Sequence, residues 1–294
     1  MDHKRFLAAL PPLEKTRLTE RTDAPALRHL ALHAGLILVV GALIAAQVPF
    51  WPLLLPVQGV LIVFLFTLEH ECTHKTPFAS GWLNEAVGRT CGLALLLPFE
   101  WFRYFHLAHH RHTNDPLHDP ELAQPRPDTR AAWLWDVSGL PYWISGGRLL
   151  GRLAFGTDRS SYLPEPALPR IRQEARLMLG AYALLLVTLI WSPLLIWVWL
   201  LPVLLGQPAL RLYLLAEHGD CPAVTNMFEN TRTTFTTAVV RFLAWNMPYH
   251  TEHHVFPAVP FHRLPELHRL MAAHLGVTAP GYAAFTRAYL ARRR

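Results

Sequence analysis

Charged residues are scarce in this chain of 294 residues: Asp, Glu, Lys and Arg make up 16% of it, against 52% hydrophobic residues. Two long blocks, residues 31–68 and 177–210, contain none of the four. A helix needs about 20 residues to cross the hydrocarbon layer of a bilayer, so each block is too long for one membrane helix and long enough for two. The shortage of charge therefore excludes an ordinary soluble domain and favours a membrane protein.

Cysteine is scarce as well. Cys72, Cys91 and Cys221 are odd in number and show no paired spacing, which excludes a disulfide framework and is typical of a reducing compartment. The net charge of +6 is compatible with nucleic-acid binding, but the basic residues flank the apolar blocks instead of forming one stripe. We attribute them to the positive-inside bias and to anionic lipid headgroups, and we expect no nucleic-acid partner.

Proline divides both apolar blocks. Pro49 and Pro52 stand in the first block and Pro193 in the second, where a hairpin would turn. We therefore predict an all-α integral membrane protein with four transmembrane helices, in two hairpins, and a cytoplasmic helical cap. The chain is one domain in five parts: an N-terminal approach 1–29, a first hairpin 30–70, a cytoplasmic or interfacial region 71–176, a second hairpin 177–217 and a cytoplasmic tail 218–294.

Histidine, by contrast, is plentiful, with 17 residues. Three short segments repeat a spacing of three or four residues, and side chains so spaced share one face of a helix. Imidazoles gathered in this way leave many ring nitrogens to satisfy unless they bind a metal ion. A further histidine ends the fourth predicted membrane helix. The nine candidate metal ligands are His70, His74, His106, His109, His110, His218, His250, His253 and His254.

An even number of membrane helices in each block places all nine histidines on one side of the membrane. That side carries ten arginines between Arg103 and Arg176, whereas the two hairpin turns on the opposite side carry no charge. By the positive-inside rule, the histidine clusters face the cytoplasm.

Nine imidazoles exceed the needs of one ion, since tetrahedral zinc takes four ligands and an octahedral ion six. Two ions close together would use them. Imidazole suits copper, zinc and nickel as well as iron, so the ligand type alone leaves the metal open. The setting favours iron, because a metal pair at the end of an apolar bundle faces C–H bonds. Zinc has no redox chemistry for such bonds, whereas iron activates oxygen.

The chain contains three histidine boxes: His70-x3-His74, His106-x2-His109-His110 and His250-x2-His253-His254. They resemble the boxes of the membrane fatty acid desaturase and hydroxylase superfamily, and the surroundings of the third box, residues 246–257, are similar to bacterial-type fatty acid desaturases. The resemblance implies a di-iron centre on the nine histidines, oxygen as co-substrate, desaturation of a lipid acyl chain, and a multi-pass protein of a bacterial inner membrane. No haem-binding His-Pro-Gly-Gly segment occurs, so it also implies a separate electron carrier of the ferredoxin or cytochrome b5 type.

Acidic residues beside the boxes are candidates for accepting the free imidazole N–H groups and so fixing the tautomer of each ring. They are Glu69, Glu71, Glu217, Glu252, Asp115 and Asp119. For each of them, a solvated surface position is the alternative. His112 and His118 lie near the second box. We expect them at the surface or in contact with the metal ligands, rather than as ligands themselves.

Alternatives to a desaturase remain open. Desaturation and hydroxylation both begin by removing hydrogen from an unactivated carbon, so a di-iron hydroxylase or a carotenoid ketolase or hydroxylase is the alternative within the superfamily.

A zinc protease is the alternative outside the superfamily. Residues 70–74 match the H-E-x-x-H motif of zinc proteases, with Glu71 as the base. That motif leaves seven clustered histidines without a role. Loss of activity in Glu71→Gln, but not in His109→Ala or His253→Ala, would favour the protease.

Overall fold

Helices account for almost all regular structure in the computed structural model of this protein, which describes residues 2–294. The α-helices are α1 (His3–Ala9), α2 (Pro12–Thr19), α3 (Asp23–Ala45), α4 (Leu54–Val63), α5 (Leu65–His74), α6 (Gly81–Leu95), α7 (Phe99–His112), α8 (Arg130–Val137), α9 (Leu140–Phe155), α10 (Leu168–Thr188), α11 (Leu201–His218), α12 (Met227–Asn230), α13 (Ala238–Leu243), α14 (His250–Val255), α15 (Leu264–Met271) and α16 (Tyr282–Ala291). Short 3-10 helices occupy Trp51–Leu53, Pro120–Ala123, Glu165–Ala167, Phe261–Arg263 and Ala272–His274, and a π-helix occupies Ile196–Leu200. Two strands, β1 (Thr233–Thr234) and β2 (Thr278–Ala279), pair in parallel. The prediction of a helical protein is confirmed.

Three helical stretches within residues 2–294 are long and apolar enough to cross a membrane: Pro12–Ala45, Trp51–His74 and Ile196–His218. The first two follow each other in the chain, and the second and third end at histidines of the predicted centre. The start of α3 lies against the segment that follows the first box, because the Asp23 carboxylate accepts from the backbone N–H of Ser80 at 2.9 Å.

The third of the four expected membrane helices differs from the prediction. Helix α10 begins nine residues before the charge-free block, and these nine residues include Arg170, Arg172, Glu174 and Arg176. Only residues 177–188 of it are free of charge, a length of about 18 Å at 1.5 Å per residue. The hydrocarbon layer is about 30 Å thick. The described chain thus contains three helices of membrane length and hydropathy, not four.

The second membrane stretch is interrupted at Phe64, between α4 and α5. An interruption of a membrane helix leaves backbone groups that have no water to bind. Here the carbonyl oxygen of Leu61 accepts a hydrogen bond from His33 Nε2 at 2.8 Å. Since His33 Nε2 then carries the proton, its Nδ1 is free to accept from Trp245 Nε1, at 3.3 Å. One buried imidazole on α3 therefore supports the bend that directs α5 and also holds the loop before the third box.

Helices α4 and α11 are in contact through their backbones. A Cβ atom added to Gly59 would lie 2.0 Å from the carbonyl oxygen of Pro202, and one added to Gly206 would lie 2.2 Å from the carbonyl carbon of Gly59. Glycine is required at both positions because any side chain would fill the space that the other backbone occupies. This contact fixes α11, which ends at His218, against α4, which leads into the helix that carries the first box.

Helix α6 covers most of a short apolar segment at residues 84–99, which Glu85 and Arg89 interrupt. The last carbonyl groups of a helix have no donor within the helix. In α6, three aromatic side chains from other helices donate hydrogen bonds to them. Tyr182 Oη donates to the carbonyl of residue 93 at 2.7 Å, Trp199 Nε1 to that of residue 94 at 3.0 Å, and Tyr142 Oη to that of residue 95 at 2.6 Å. The end of α6 is thus satisfied within apolar surroundings.

A single guanidinium ties α6 to its neighbours. Arg89 binds Glu174 of α10 at 2.6 Å, Glu100 of α7 at 3.0 Å and Glu85 of its own helix at 3.2 Å. Glu100 is 1% exposed at its side chain, so its charge depends on this partner and on Arg103 at 3.2 Å. Charged pairs of this kind position α7, the helix that carries the second box.

Candidate metal centre

Four helices bring the nine predicted ligands together. The first box lies on the last turn of α5, the second box on the last two turns of α7, the extra histidine ends α11, and the third box forms α14. Eight of the nine imidazoles are buried, and His74 is half-buried. Since these helices are far apart in sequence, the cluster exists only in the folded chain.

Five rings form a first group, with one ring nitrogen of each within 4.8 Å of the others: His70, His74, His106, His110 and His253. The Nε2 atoms of His70 and His253 are 2.9 Å apart, and those of His74 and His106 are 2.8 Å apart. His253 Nε2 also lies 3.2 Å from His110 Nε2. All three boxes contribute to this group.

His109, His218 and His254 form a second group, again with one ring nitrogen of each within 4.8 Å of the others. His109 Nε2 and His218 Nε2 are 3.2 Å apart. His250 joins this group through its Nε2, which lies 3.1 Å from His218 Nε2. The two groups are contiguous, because the rings of His110 and His254 stack with their centroids 4.0 Å apart.

The groups that face the Nδ1 atoms of two ligand rings indicate where the proton of each ring lies. His218 Nδ1 lies 3.2 Å from the carbonyl oxygen of Asn230, which can only accept, so the proton of that ring is on Nδ1. His109 Nδ1 faces both oxygens of Asp119, at 2.9 and 3.1 Å. His218 therefore directs an unprotonated Nε2 at His109 Nε2, 3.2 Å away. When His109 is neutral with its proton on Nδ1, two lone pairs face each other, which is repulsive unless a cation lies between them.

A metal ion fits this requirement better than a proton. A proton joins two nitrogens, whereas these groups bring together three and five rings. Imidazole nitrogens bind transition metals at about 2.0–2.1 Å, so neighbouring ligands of one ion are about 3 Å apart. The Nε2 separations of 2.8 to 3.2 Å match that spacing. The donor set thus fits metal ions in both groups.

Burial favours the neutral rings that metals bind. It lowers the pKa well below the usual histidine value, and neighbouring imidazoles lower it further, for His106, His110, His250, His253 and His254. His109 is the exception: burial lowers its pKa, but the carboxylates of Glu121 and Asp119 outweigh that effect and raise it.

Three of the six acidic candidates lie beside ligand rings. Asp119 binds His109, Glu71 Oε1 lies 3.3 Å from His253 Nδ1, and Glu217 Oε1 lies 3.4 Å from His250 Nδ1.

The other three do not lie beside them. Glu252 accepts from Thr233 at 2.6 Å and contacts His268, Asp115 contacts His118, and the buried carboxylate of Glu69 makes no hydrogen bond to residues 2–294. On α5, Glu69 and Glu71 flank His70, and only Glu71 faces the boxes.

The position of Glu71 argues against the protease alternative. Its Oε2 accepts from Thr76 Oγ1 at 3.0 Å and from the backbone N–H of Phe261 at 3.1 Å, while Oε1 faces His253. The carboxylate is 0% exposed, and its two oxygens are directed at Thr76, Phe261 and the ring of His253. A general base must instead face a water molecule on the metal.

Residues that the sequence did not indicate also hold the ligands. Thr113 Oγ1 lies 3.1 Å from His254 Nδ1, and Asn230 contributes the carbonyl that faces His218. Asn114 donates to that same carbonyl at 2.7 Å. Thr113 and Asn114 lie three and four residues after the second box, but Asn230 is remote from every box and no spacing pattern points to it.

Membrane-length helices that end beside a buried assembly of imidazoles define a class: helical membrane proteins with a histidine-lined metal site. A sequence model of the family described as "Fatty acid desaturase" matches residues 46–286. The chain therefore belongs to the fatty acid desaturase family, as the histidine boxes predict.

Individual relatives match shorter stretches. A bifunctional fatty acid conjugase/Delta(12)-oleate desaturase of Punica granatum is 35% identical over 85 residues, which is 29% of this chain and 21% of the relative. An sn-1 oleoyl-lipid 12-desaturase of Picosynechococcus sp. is 32% identical over 117 residues, 36% of this chain and 34% of the relative. A sphingolipid delta(4)-desaturase of Drosophila melanogaster is 27% identical over 241 residues, 78% of this chain and 68% of the relative. The chain thus covers between a fifth and about two thirds of the length of these relatives.

Proposed function

We propose that this protein is a membrane-bound, oxygen-dependent di-iron enzyme that inserts a double bond into a lipid acyl chain. The observation that carries the proposal is the convergence of imidazole Nε2 atoms, about 3 Å apart, in two contiguous groups of rings. Membership of the fatty acid desaturase family supports iron over the other metals that imidazole binds. The names of the relatives support an acyl substrate.

Each group of rings would hold one ion. His70, His74, His106, His110 and His253 would bind one iron, and His109, His218, His250 and His254 the other. When bound, an iron pair supplies redox chemistry that activates oxygen toward a C–H bond, which zinc does not.

The protein's own part is to hold the rings in one protonation state and orientation. Asp119 lies at hydrogen-bond distance from His109 Nδ1, and Glu71 and Glu217 lie 3.3 and 3.4 Å from Nδ1 of His253 and His250, where a carboxylate would favour a proton on Nδ1 and leave Nε2 free for an ion. Burial of these rings removes competing water, which would otherwise bind the ions or quench a reactive centre.

An apolar cavity supports an alkyl substrate. It has a volume of about 310 Å³ and lies between the end of α6 and helices α9, α10 and α11, and it is lined by Leu96, Trp143, Tyr182, Leu189, Trp199 and Val203 among others. A mainly apolar lining of this kind suits an alkyl chain. We propose that it takes part of the acyl chain.

The membrane arrangement follows from the same elements. The apolar half of α10 and the segment after it would provide the fourth crossing, so that α10 and α11 form the second hairpin. The arginines between Arg103 and Arg176 support a cytoplasmic position for the histidine side, by the positive-inside rule. In a bacterial inner membrane that side is open to a soluble electron carrier of the ferredoxin or cytochrome b5 type.

The test combines lipid profiling with metal analysis. Expression of the chain in a host membrane should add a double bond to host acyl chains, and the purified protein should contain two irons per chain. His253→Ala should abolish the product and lower the iron content, whereas His262→Ala, at a half-buried histidine outside both groups, should change neither. A hydroxylated or ketolated product would contradict desaturation. Full activity in His253→Ala, together with its loss in Glu71→Gln, would contradict the di-iron centre.

A further inference from the structure

Two histidines near the second box remain outside the nine. His112 ends α7, and His118 lies in the turn that follows. With Asp115 they form a third cluster, in which one ligand atom of each residue lies within 4.8 Å of the others. His118 Nδ1 is 2.7 Å from Asp115 Oδ2, and the two imidazole centroids are 5.3 Å apart. The cluster lies at the surface, since the side chains of His118 and Asp115 are 60% and 38% exposed.

This cluster is distinct from the buried centre. Its side chains make no hydrogen bond to any of the nine buried imidazoles in residues 2–294, and the cluster faces solvent. An ion pair between His118 and Asp115 explains only part of the arrangement, because the ring of His112 is also directed to the same place. An exposed pair by itself is worth at most about 1 kcal/mol. Three convergent donors are what a metal ion requires.

We propose that His112, Asp115 and His118 form a second type of metal site, which binds one divalent first-row transition ion such as Zn²⁺. Two imidazoles and one carboxylate are ligands that such ions share, and solvent can fill the remaining positions because the cluster is exposed. Hard ions such as Mg²⁺ and Ca²⁺ prefer oxygen ligands, which are in the minority here.

An ion at this site would hold the turn that supports the buried centre. The carbonyl oxygen of Asp115 accepts from the backbone N–H of Asp119 at 2.9 Å, and Asp119 in turn binds His109 and the backbone N–H of Asn114. Asp115 and Asp119 therefore move together. An ion that fixes the first of them restricts the second, which positions a ligand of the predicted iron pair.

Zinc binding to the purified, iron-loaded protein tests the site directly. After equilibrium dialysis against graded Zn²⁺, the parent protein and His262→Ala should retain one zinc per chain in addition to their iron. The double variant His112→Ala/His118→Ala should bind that zinc at least about 100-fold more weakly, since loss of a residue beyond the ligands already costs 10–100-fold. Iron content should be the same in all three proteins, which separates this result from any failure of the di-iron proposal.

Amide hydrogen exchange gives a second measurement. Zinc should slow exchange in residues 114–119 of the parent protein and leave it unchanged in the double variant. If the double variant loses iron, the measurement is made on Asp115→Asn instead. Asp115 Oδ1 accepts a hydrogen bond from the backbone N–H of Leu117 at 3.0 Å, and the asparagine oxygen can keep this bond. Equal zinc affinity in the parent and in the variant, or zinc uptake only as iron leaves, would overturn the proposal.

Discussion

Gly206→Ala should force apart the two membrane helices that meet most closely, α4 and α11. The new Cβ atom would lie 2.2 Å from the carbonyl carbon of Gly59 and 2.4 Å from its oxygen. Ordinary van der Waals contact begins at 3.4 Å, so the overlap with the carbon is 3.4 − 2.2 = 1.2 Å. Neither backbone can turn aside as a flexible side chain would, and the helices must separate or tilt by about that distance.

Overpacking of a close contact costs about 1–3 kcal/mol. The displacement would also reach the predicted metal centre, because His218 lies twelve residues further along α11, about 18 Å away along a stiff helix. Ligand geometry tolerates errors of only a few tenths of an ångström. We therefore expect both a lower stability and a weaker hold on metal.

Thermal unfolding in detergent micelles and iron content per chain measure these two effects. The midpoint should fall by roughly 2–10 °C, by the usual relation between free energy and melting temperature, and iron should be retained less completely. Gly35→Ala is the matched control, because it adds the same methyl group to membrane helix α3, where nothing lies within 4 Å of the new atom. If Gly206→Ala is as stable as Gly35→Ala and holds as much iron, the close backbone contact is refuted.

Three other substitutions follow from the structure. Asp119→Asn removes the carboxylate that accepts from His109 Nδ1, and it should weaken iron binding about 10–100-fold, as read from iron retention against a series of chelator concentrations. Arg89→Ala removes a guanidinium that three carboxylates share, of which Glu100 and Glu174 are buried. It should lower the free energy of unfolding by about 3 kcal/mol, the low end for buried pairs because the guanidinium is itself 39% exposed. His33→Leu leaves the carbonyl of Leu61 without its donor in apolar surroundings and should cost about 1–3 kcal/mol, read as a lower melting temperature.

Each of these substitutions has a control at a comparable residue. Asp128→Asn, at an exposed aspartate beyond the turn, should leave iron binding unchanged, and exposed Arg148→Ala should leave stability unchanged. His262→Leu removes a half-buried imidazole without releasing a carbonyl. A variant that cannot be distinguished from its control would show that the corresponding contact contributes nothing.

The helices and the histidine boxes were largely predictable from the sequence, because both depend on local periodicity. Charge-free blocks of 38 and 34 residues indicated hairpins, and the observed helices α3 to α5 and α11 fall within or beside them. The sequence did not predict how much of α10 is free of charge and so able to lie in the membrane. Its apolar residues continue a helix whose first half is charged and packs on α6 and α7 through Glu174, and hydropathy alone does not show where such a helix begins.

By itself, the sequence determined that nine imidazoles occur at helical spacings beside apolar helices, and the family match agrees with that pattern. Only the tertiary structure decided how they divide. His109 and His110 are neighbours in sequence, as are His253 and His254. His110 and His253 belong to the first group, and His109 and His254 to the second. Successive residues on a helix point about 100° apart, so neighbouring histidines meet different rings. Packing likewise decided that Glu71 faces a ligand ring while Glu69, two residues earlier, faces α6, where its oxygen lies close to Gly92.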